Sequence, residues 1–194
     1  MKTIINLPKP DVEGAVPLEQ AIMLRRSRRD FLRRPLTLEQ IGQLLWSAQG
    51  KSTMGPFRNT PSAGATYPLE IFTVVEKGLF QYFPNEHSLK QILDRDIRAQ
   101  LASAAWGQEF IAVAPLTIIF TAEFSRTTKR YGQRGIRYVY MEAGHAAQNV
   151  HLQAETLHLG SVAVGAFDDA AVKGILFLPS NLEPLYMVVV GHYH

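Results

Sequence analysis

Arg25-Arg26-Ser27-Arg28-Arg29-Asp30-Phe31-Leu32-Arg33-Arg34 packs six arginines and one hydroxyl into ten residues. The eight residues before it, Pro17-Leu18-Glu19-Gln20-Ala21-Ile22-Met23-Leu24, read as an amphipathic helix, so the cluster sits at a helix end. Guanidinium groups grip phosphate bidentately and keep their charge at any working pH. The stretch, Arg26 included, is therefore a candidate grip for a phosphorylated cofactor. A solvated basic face or a nucleic-acid patch is the alternative reading of the same residues.

Outward from the cluster, the chain reads as α+β, without an internal repeat or a linker. Thr37-Leu38-Glu39-Gln40 is a capping-box pattern opening a helix through Ile41, Leu44, Leu45 and Ala48 to Gly50. Residues 51–68 form a long loop rich in Gly, Pro, Ser, Thr and Asn, a length that favours function over simple connection. Leu69 to Val75 and Leu79 to Phe83 read as a hairpin, residues 88–112 as helix in one or two pieces, and Pro115 to Ala122 as a buried strand. Ile136 to Leu159 is the longest predicted helix, with Gly160 as its C-cap. Along it Val139, Ala143, Ala146, Val150, Ala154 and Leu157 recur at spacings of three and four, an apolar stripe. Strands at Ser161 to Ala166 and Pro184 to Val190 flank a short helix over 168–175.

Composition bounds the function. The 194 residues suit a single domain, 1–194, with 46% hydrophobic and 19% charged residues and a net charge of only +3. Beyond residue 35 the basic residues do not line up along one face, which argues against a general nucleic-acid binder. No apolar run reaches the ~18 residues that cross a membrane. The first residues, Met1 to Pro8, lack a signal peptide's long apolar core, so a cytoplasmic protein is expected. There is no cysteine, hence no disulfide, thiolate metal site or cysteine nucleophile. His145, His151 and His158 are six and seven apart, not at the four-residue spacing of a zinc helix, and no metal is expected. Neither a dinucleotide fingerprint nor a P-loop or nucleophile-elbow pattern is present.

Four segments in register carry a resemblance. Arg-Arg-Ser-x-Arg-x-Phe at 25–31 is similar to the N-terminal signature of the nitroreductase superfamily. Pro61-Ser62-Ala63-Gly64-Ala65-Thr66-Tyr67-Pro68 and Glu142-Ala143-Gly144-His145-Ala146-Ala147-Gln148-Asn149 resemble motifs of its SagB-type peptide-azoline dehydrogenase branch, and Glu183 to Gly191 resembles the family's last strand. The resemblance implies a three-layer α/β/α fold with a mostly antiparallel sheet, a long central helix and an intertwined homodimer. It also implies FMN, held at its phosphate and ribityl chain by Arg25, Ser27 and Arg29. Pro61, Ser62, Ala63 and Gly64 would line the ring, with Val164 and Gly165 at its other edge.

The implied activity is hydride transfer through flavin N5, with NADH or NADPH as reductant and a small molecule or a peptide as substrate. Azoline oxidation is the second enzyme reading, and a flavin- or nucleotide-binding module without turnover is the non-enzyme one. Two departures from the family pattern bear on these. The azoline branch places a Lys-Tyr pair for proton abstraction where this chain has Arg130-Tyr131, with Lys129 one step earlier; Lys129 and Tyr131 are the local candidates for that role. Beyond the last strand, where family members often carry a basic phosphate contact, this chain offers His192.

Overall fold

In a computed structural model, residues 3–52 and 55–194 are described. In chain order the elements are β1 (Ile4–Asn6), α1 (Leu18–Leu24), α2 (Leu38–Gln49), β2 (Leu69–Val75), β3 (Gly78–Phe83), β4 (Ser88–Leu93), α3 (Arg98–Ala104), α4 (Phe110–Val113), β5 (Leu116–Ala122), α5 (Ser125–Tyr131), α6 (Arg134–Thr156), β6 (Gly160–Val164), α7 (Asp169–Ile175) and β7 (Glu183–Gly191). The strands make one sheet in the order β1-β4-β3-β2-β5-β7-β6. Each of its ladders is antiparallel.

The layers follow from strand alternation. On β5, Leu116, Ile118 and Phe120 face α2 and α6, whereas Ile119 faces the opposite side. On that side Ile97, Leu101, Ile111, Val172 and Leu176 from α3, α4, α7 and their flanks complete a second core. The result is helix, sheet, helix. The stripe on α6 is buried as its spacing requires: Val139, Ala146, Val150 and Ala154 have no exposed surface. α2 starts where expected, with Thr37 accepting from the Gln40 amide and Gln40 answering the Thr37 amide.

Two sequence expectations are corrected, and one strand had none. Residues 88–93 form a strand, not the start of a helix, because Leu89 pairs with Tyr82 on one side and with Ile5 on the other. Those long-range pairings override a weak local preference. The turn before it is closed by His87, at φ 45°, whose ring shares hydrogen bonds with the Tyr82 hydroxyl (2.9 Å) and the Pro8 carbonyl (3.0 Å). β1, which partners this strand, has no signal of its own in three residues. Finally, Gly160 is not a C-cap. α6 ends at Thr156, His158 takes the left-handed conformation (φ 56°), and Gly160 opens β6. A Cβ at Gly160 would lie 3.0 Å from Tyr193 and 3.1 Å from the Arg28 side chain, so glycine is needed there for a close crossing. Of the predicted 51–68 loop, residues 53–54 lie outside the described residues, as do 1–2 of the N-terminal segment.

Candidate functional site

The arginine cluster leaves α1 in an extended path beside β6. Arg25 closes the helix through its amide to the Ala21 carbonyl, Ser27 bridges Ser161, and the Arg28 amide donates to the Ser161 carbonyl at 3.0 Å. The arginines then divide. Arg28 is used by the fold: its guanidinium pairs with buried Glu155 and stacks 4.4 Å over the Tyr193 ring. Arg26, Ser27 and Arg29 are exposed and Arg25 is half-buried. Arg25 lies close enough to His151 to act on it. Burial pushes the His151 imidazole down to about 4, and the Arg25 charge pushes the same way. His151 is therefore neutral, its Nδ1 within 2.7 Å of the Ser161 hydroxyl.

β6 connects this cluster to the second predicted contact. Val164 is buried at the far end of the strand, paired with Met187, and Gly165 follows exposed, with Tyr186 at 3.6 Å from where a Cβ would stand. From Ser161 to Gly165 an extended strand spans about 13 Å. The starts of β2 and β7 and the end of β5 lie at the Gly165 end, since Leu69 pairs with Ala122, Ala122 with Glu183, and Val164 with Met187.

The predicted ring-lining loop is held by other elements. Ser62 is half-buried and leads into a short 3-10 turn, Ala63–Ala65, where Gly64 (φ 60°), Ala65 (φ 53°) and then Tyr67 (φ 45°) take left-handed conformations. Such backbone is costly for Ala and Tyr and persists only when its surroundings fix it. Here they do. The Ser62 hydroxyl accepts the Tyr67 amide at 2.9 Å, Thr66 and Thr127 share a 2.8 Å hydrogen bond, and Arg126 donates to the Tyr67 carbonyl at 3.1 Å. Asn149 of α6 donates to Thr60 and to the Ser47 carbonyl, tying the loop to α2. Arg130 donates to the Gly64 carbonyl at 3.3 Å, and a Cβ on Gly64 would stand 2.6 Å from the Tyr131 hydroxyl. Tyr131 thus lies against the loop, edge-on to Tyr138 at 5.2 Å, while Lys129 is exposed. Arg130, not Lys129, faces the loop beside Tyr131.

Beneath this loop lies a group the sequence reading passed over. Glu142 of α6 is 2% exposed and accepts from Gln49 Nε2 at 3.3 Å and from the Ser62 hydroxyl. Burial lifts its carboxyl to about 7, with Ser62, Gln49 and the Arg58 charge pulling the other way. Arg58 donates to Gln49 Oε1 at 3.0 Å and stacks 4.7 Å over the Tyr67 ring. The signal was available: Glu142 falls three residues after Val139 and four before Ala146, on the apolar stripe itself, where a carboxylate needs a reason.

The Nitroreductase family model matches residues 22–192, which runs from the end of α1 through β7. The chain belongs to the nitroreductase family. A nitroreductase homologue from Methanocaldococcus jannaschii is 44% identical over 98% of this chain and 98% of its own length. The FMN reductase [NAD(P)H] of Bacillus subtilis is 25% identical over 86% of this chain, which spans 62% of that protein. In shape, the chain is similar to a subunit of the Escherichia coli microcin synthetase McbBCD, solved with truncated pro-MccB17 bound. The TM-score is 0.77 at 21% identity, over 97% of this chain and 77% of that one, a likeness of fold. With its three-layer antiparallel architecture, the protein is an oxidoreductase of this family.

Proposed function

We propose that the protein is an FMN-dependent oxidoreductase that moves hydride between a reduced nicotinamide and a small-molecule or peptide substrate. The observation that carries this is the division of the arginines: Arg28 is taken by Glu155, whereas Arg25, Arg26 and Arg29, the last reaching over the Phe110 ring, flank Ser27 at one end of β6, with Gly165 at the other. A strand length of about 13 Å between them suits an elongated phosphorylated cofactor with a planar end. The residues present fit FMN. Arg25, Arg26 and Arg29 supply cations beside Ser27 for a phosphate, and exposed Gly165, with only the Tyr186 ring near its Cβ position, leaves backbone open to a ring. The relative named FMN reductase [NAD(P)H] supports the same cofactor and reductant.

When bound, FMN supplies the hydride chemistry at N5. The chain supplies the rest. Arg25, Ser27 and Arg29 bind the phosphate, Arg26 adds charge at the mouth, and neutral His151 presents no competing cation. Pro61, Ser62, Ala63 and Gly64 form a backbone wall that Tyr131 and Arg130 hold from behind. The loop and the arginines are carried by different elements, the loop against Glu142 and Asn149 of α6 and the arginines against His151 and Glu155 further along it. A homodimer, in which a second copy adds walls to the site, fits this separation.

Azoline oxidation is the second reading, favoured by the Tyr131 hydroxyl lying against the loop. It requires a base for a carbon-bound proton, and Arg130 is unsuited because its guanidinium stays protonated. Stopped-flow flavin reduction separates the two. With NAD(P)H, Tyr131→Phe and Lys129→Ala are expected to stay within a few-fold of wild type, since hydride transfer needs stacking and geometry, not a protein base. If the enzyme oxidises an azoline peptide, losing the base costs about 10²–10⁴ in rate with that substrate. Collapse of both reactions would show that Tyr131 shapes the ring site itself.

A further inference from the structure

Two glutamates of α6 are buried, and their partners differ in kind. Glu155 has the Arg28 guanidinium in direct contact. Glu142 meets the side chains of Gln49 and Ser62, and Arg58 reaches it through Gln49. The Ser62 hydroxyl has a single proton and accepts from the Tyr67 amide, so the direction of that proton depends on what lies beneath it. Over an ionised Glu142 the proton points inward, onto the carboxylate. Over a protonated Glu142 the carboxyl O–H donates to Ser62 and the serine proton turns outward.

We propose that Glu142 is a positioning residue whose proton decides whether Ser62 offers the cofactor a hydrogen-bond donor or only a lone pair. The nature of the ligand rests on the FMN reading above; the switch itself resides in this chain. A flavin ring presents mostly acceptors, so the form with protonated Glu142 binds it more tightly. Both forms are accessible near neutrality, since burial holds the carboxyl at about 7. The charged and titratable groups around the pocket are Arg58 and Tyr67 on the loop, Glu70 on β2 and Arg126 on α5, with Arg130 and Tyr131 of α5 against Gly64. Arg126 pairs with Glu70 at 2.7 Å, which leaves Arg58 as the cation acting on Glu142.

The test titrates riboflavin, which carries no phosphate to ionise, into flavin-free protein between about pH 5.5 and about pH 8.5. Flavin fluorescence reports binding to wild type, Glu142→Gln and Ser62→Ala. Wild type is expected to bind about fivefold more tightly at the acid end, the size of one neutral hydrogen bond, with its midpoint near 7. Glu142→Gln, whose amide donates to Ser62 as the protonated acid does, keeps the tight affinity across the range. Ser62→Ala binds more weakly and without pH dependence. In parallel, carboxyl ¹³C NMR of the flavin-free protein should show Glu142 titrating near neutrality in wild type and still higher in Ser62→Ala, which removes a donor to the ionised form. A pH-independent wild type, or a Glu142→Gln variant that follows the wild-type curve, overturns the switch. Failure of every variant to bind riboflavin or FMN at any pH would count against the FMN reading alone, and the NMR titration would still decide the switch.

Discussion

Arg28 and Arg29 are neighbours in sequence to which the proposed function gives opposite work. Arg28→Ala would leave buried Glu155 unpaired and remove the stacking on Tyr193, so it should cost about 3 kcal/mol of stability in denaturant unfolding. Arg25→Ala or Arg29→Ala should leave stability nearly unchanged and weaken FMN roughly ten- to a hundredfold, the loss of one charged hydrogen bond. Unchanged FMN affinity in both would remove the phosphate assignment. Glu142 makes a pH prediction of its own. Its carboxyl titrates near 7 in the fold against 4.5 when free, so the folded state binds more protons between those values. Stability from this group is therefore full below about 4.5 and lost as pH rises through 7. Unfolding titrations should show wild type losing about 3 kcal/mol relative to Glu142→Gln between those limits. His151 acts in the opposite sense: depressed from 6.5 to about 4, it costs stability as pH falls across that interval. The arginine cluster was legible in the sequence because six cations in ten residues have few explanations. Which arginine the fold consumes was not, since Glu155 lies 127 residues away.

At the level of elements, the tight turn between β2 and β3 is the most exacting. Gly78 sits at φ 126°, and a Cβ there would stand 2.0 Å from the Leu93 carbonyl oxygen. Gly78→Ala should cost about 3 kcal/mol or more, read as a lower denaturant midpoint, because both the turn and the β3–β4 ladder must shift. An unchanged midpoint would mean that the hairpin tolerates another turn. The elements visible in sequence are those whose own periodicity or caps decide them. α6 shows its stripe, α2 its Thr37–Gln40 box, and β2 and β5 their β-branched runs. β4 was hidden because Ser88-Leu89-Lys90-Gln91-Ile92-Leu93 has no strong preference, and its state is set by β1 and β3. The end of α6 was misplaced because a glycine after a helix usually caps it, whereas Gly160 answers to the crossing of Arg28 and Tyr193.

The outer surface of the molecule carries an apolar zone on the two helices nearest the candidate site. Leu18, Ile22 and Met23 on α1 and Ile136, Tyr140 and Met141 on α6 are exposed. Gly144, on the outward side of α6, has open space where a Cβ would stand. A second copy covering these helices would bury well over ~2,000 Å², as obligate dimers do. Gly144→Trp should therefore leave the monomer fold intact, yet abolish the dimer and weaken FMN. A wild-type protein that sediments as a flavin-loaded monomer would contradict the dimer.

The central claim is that Arg25, Ser27 and Arg29 beside β6 hold FMN for hydride transfer. Its most direct test is an anaerobic absorbance spectrum of the purified protein supplied with FMN, then titrated with NADH and NADPH. The yellow band of bound flavin should persist through gel filtration and bleach stoichiometrically with at least one nicotinamide. A protein that emerges colourless, or that retains FAD while excluding FMN, would contradict the account.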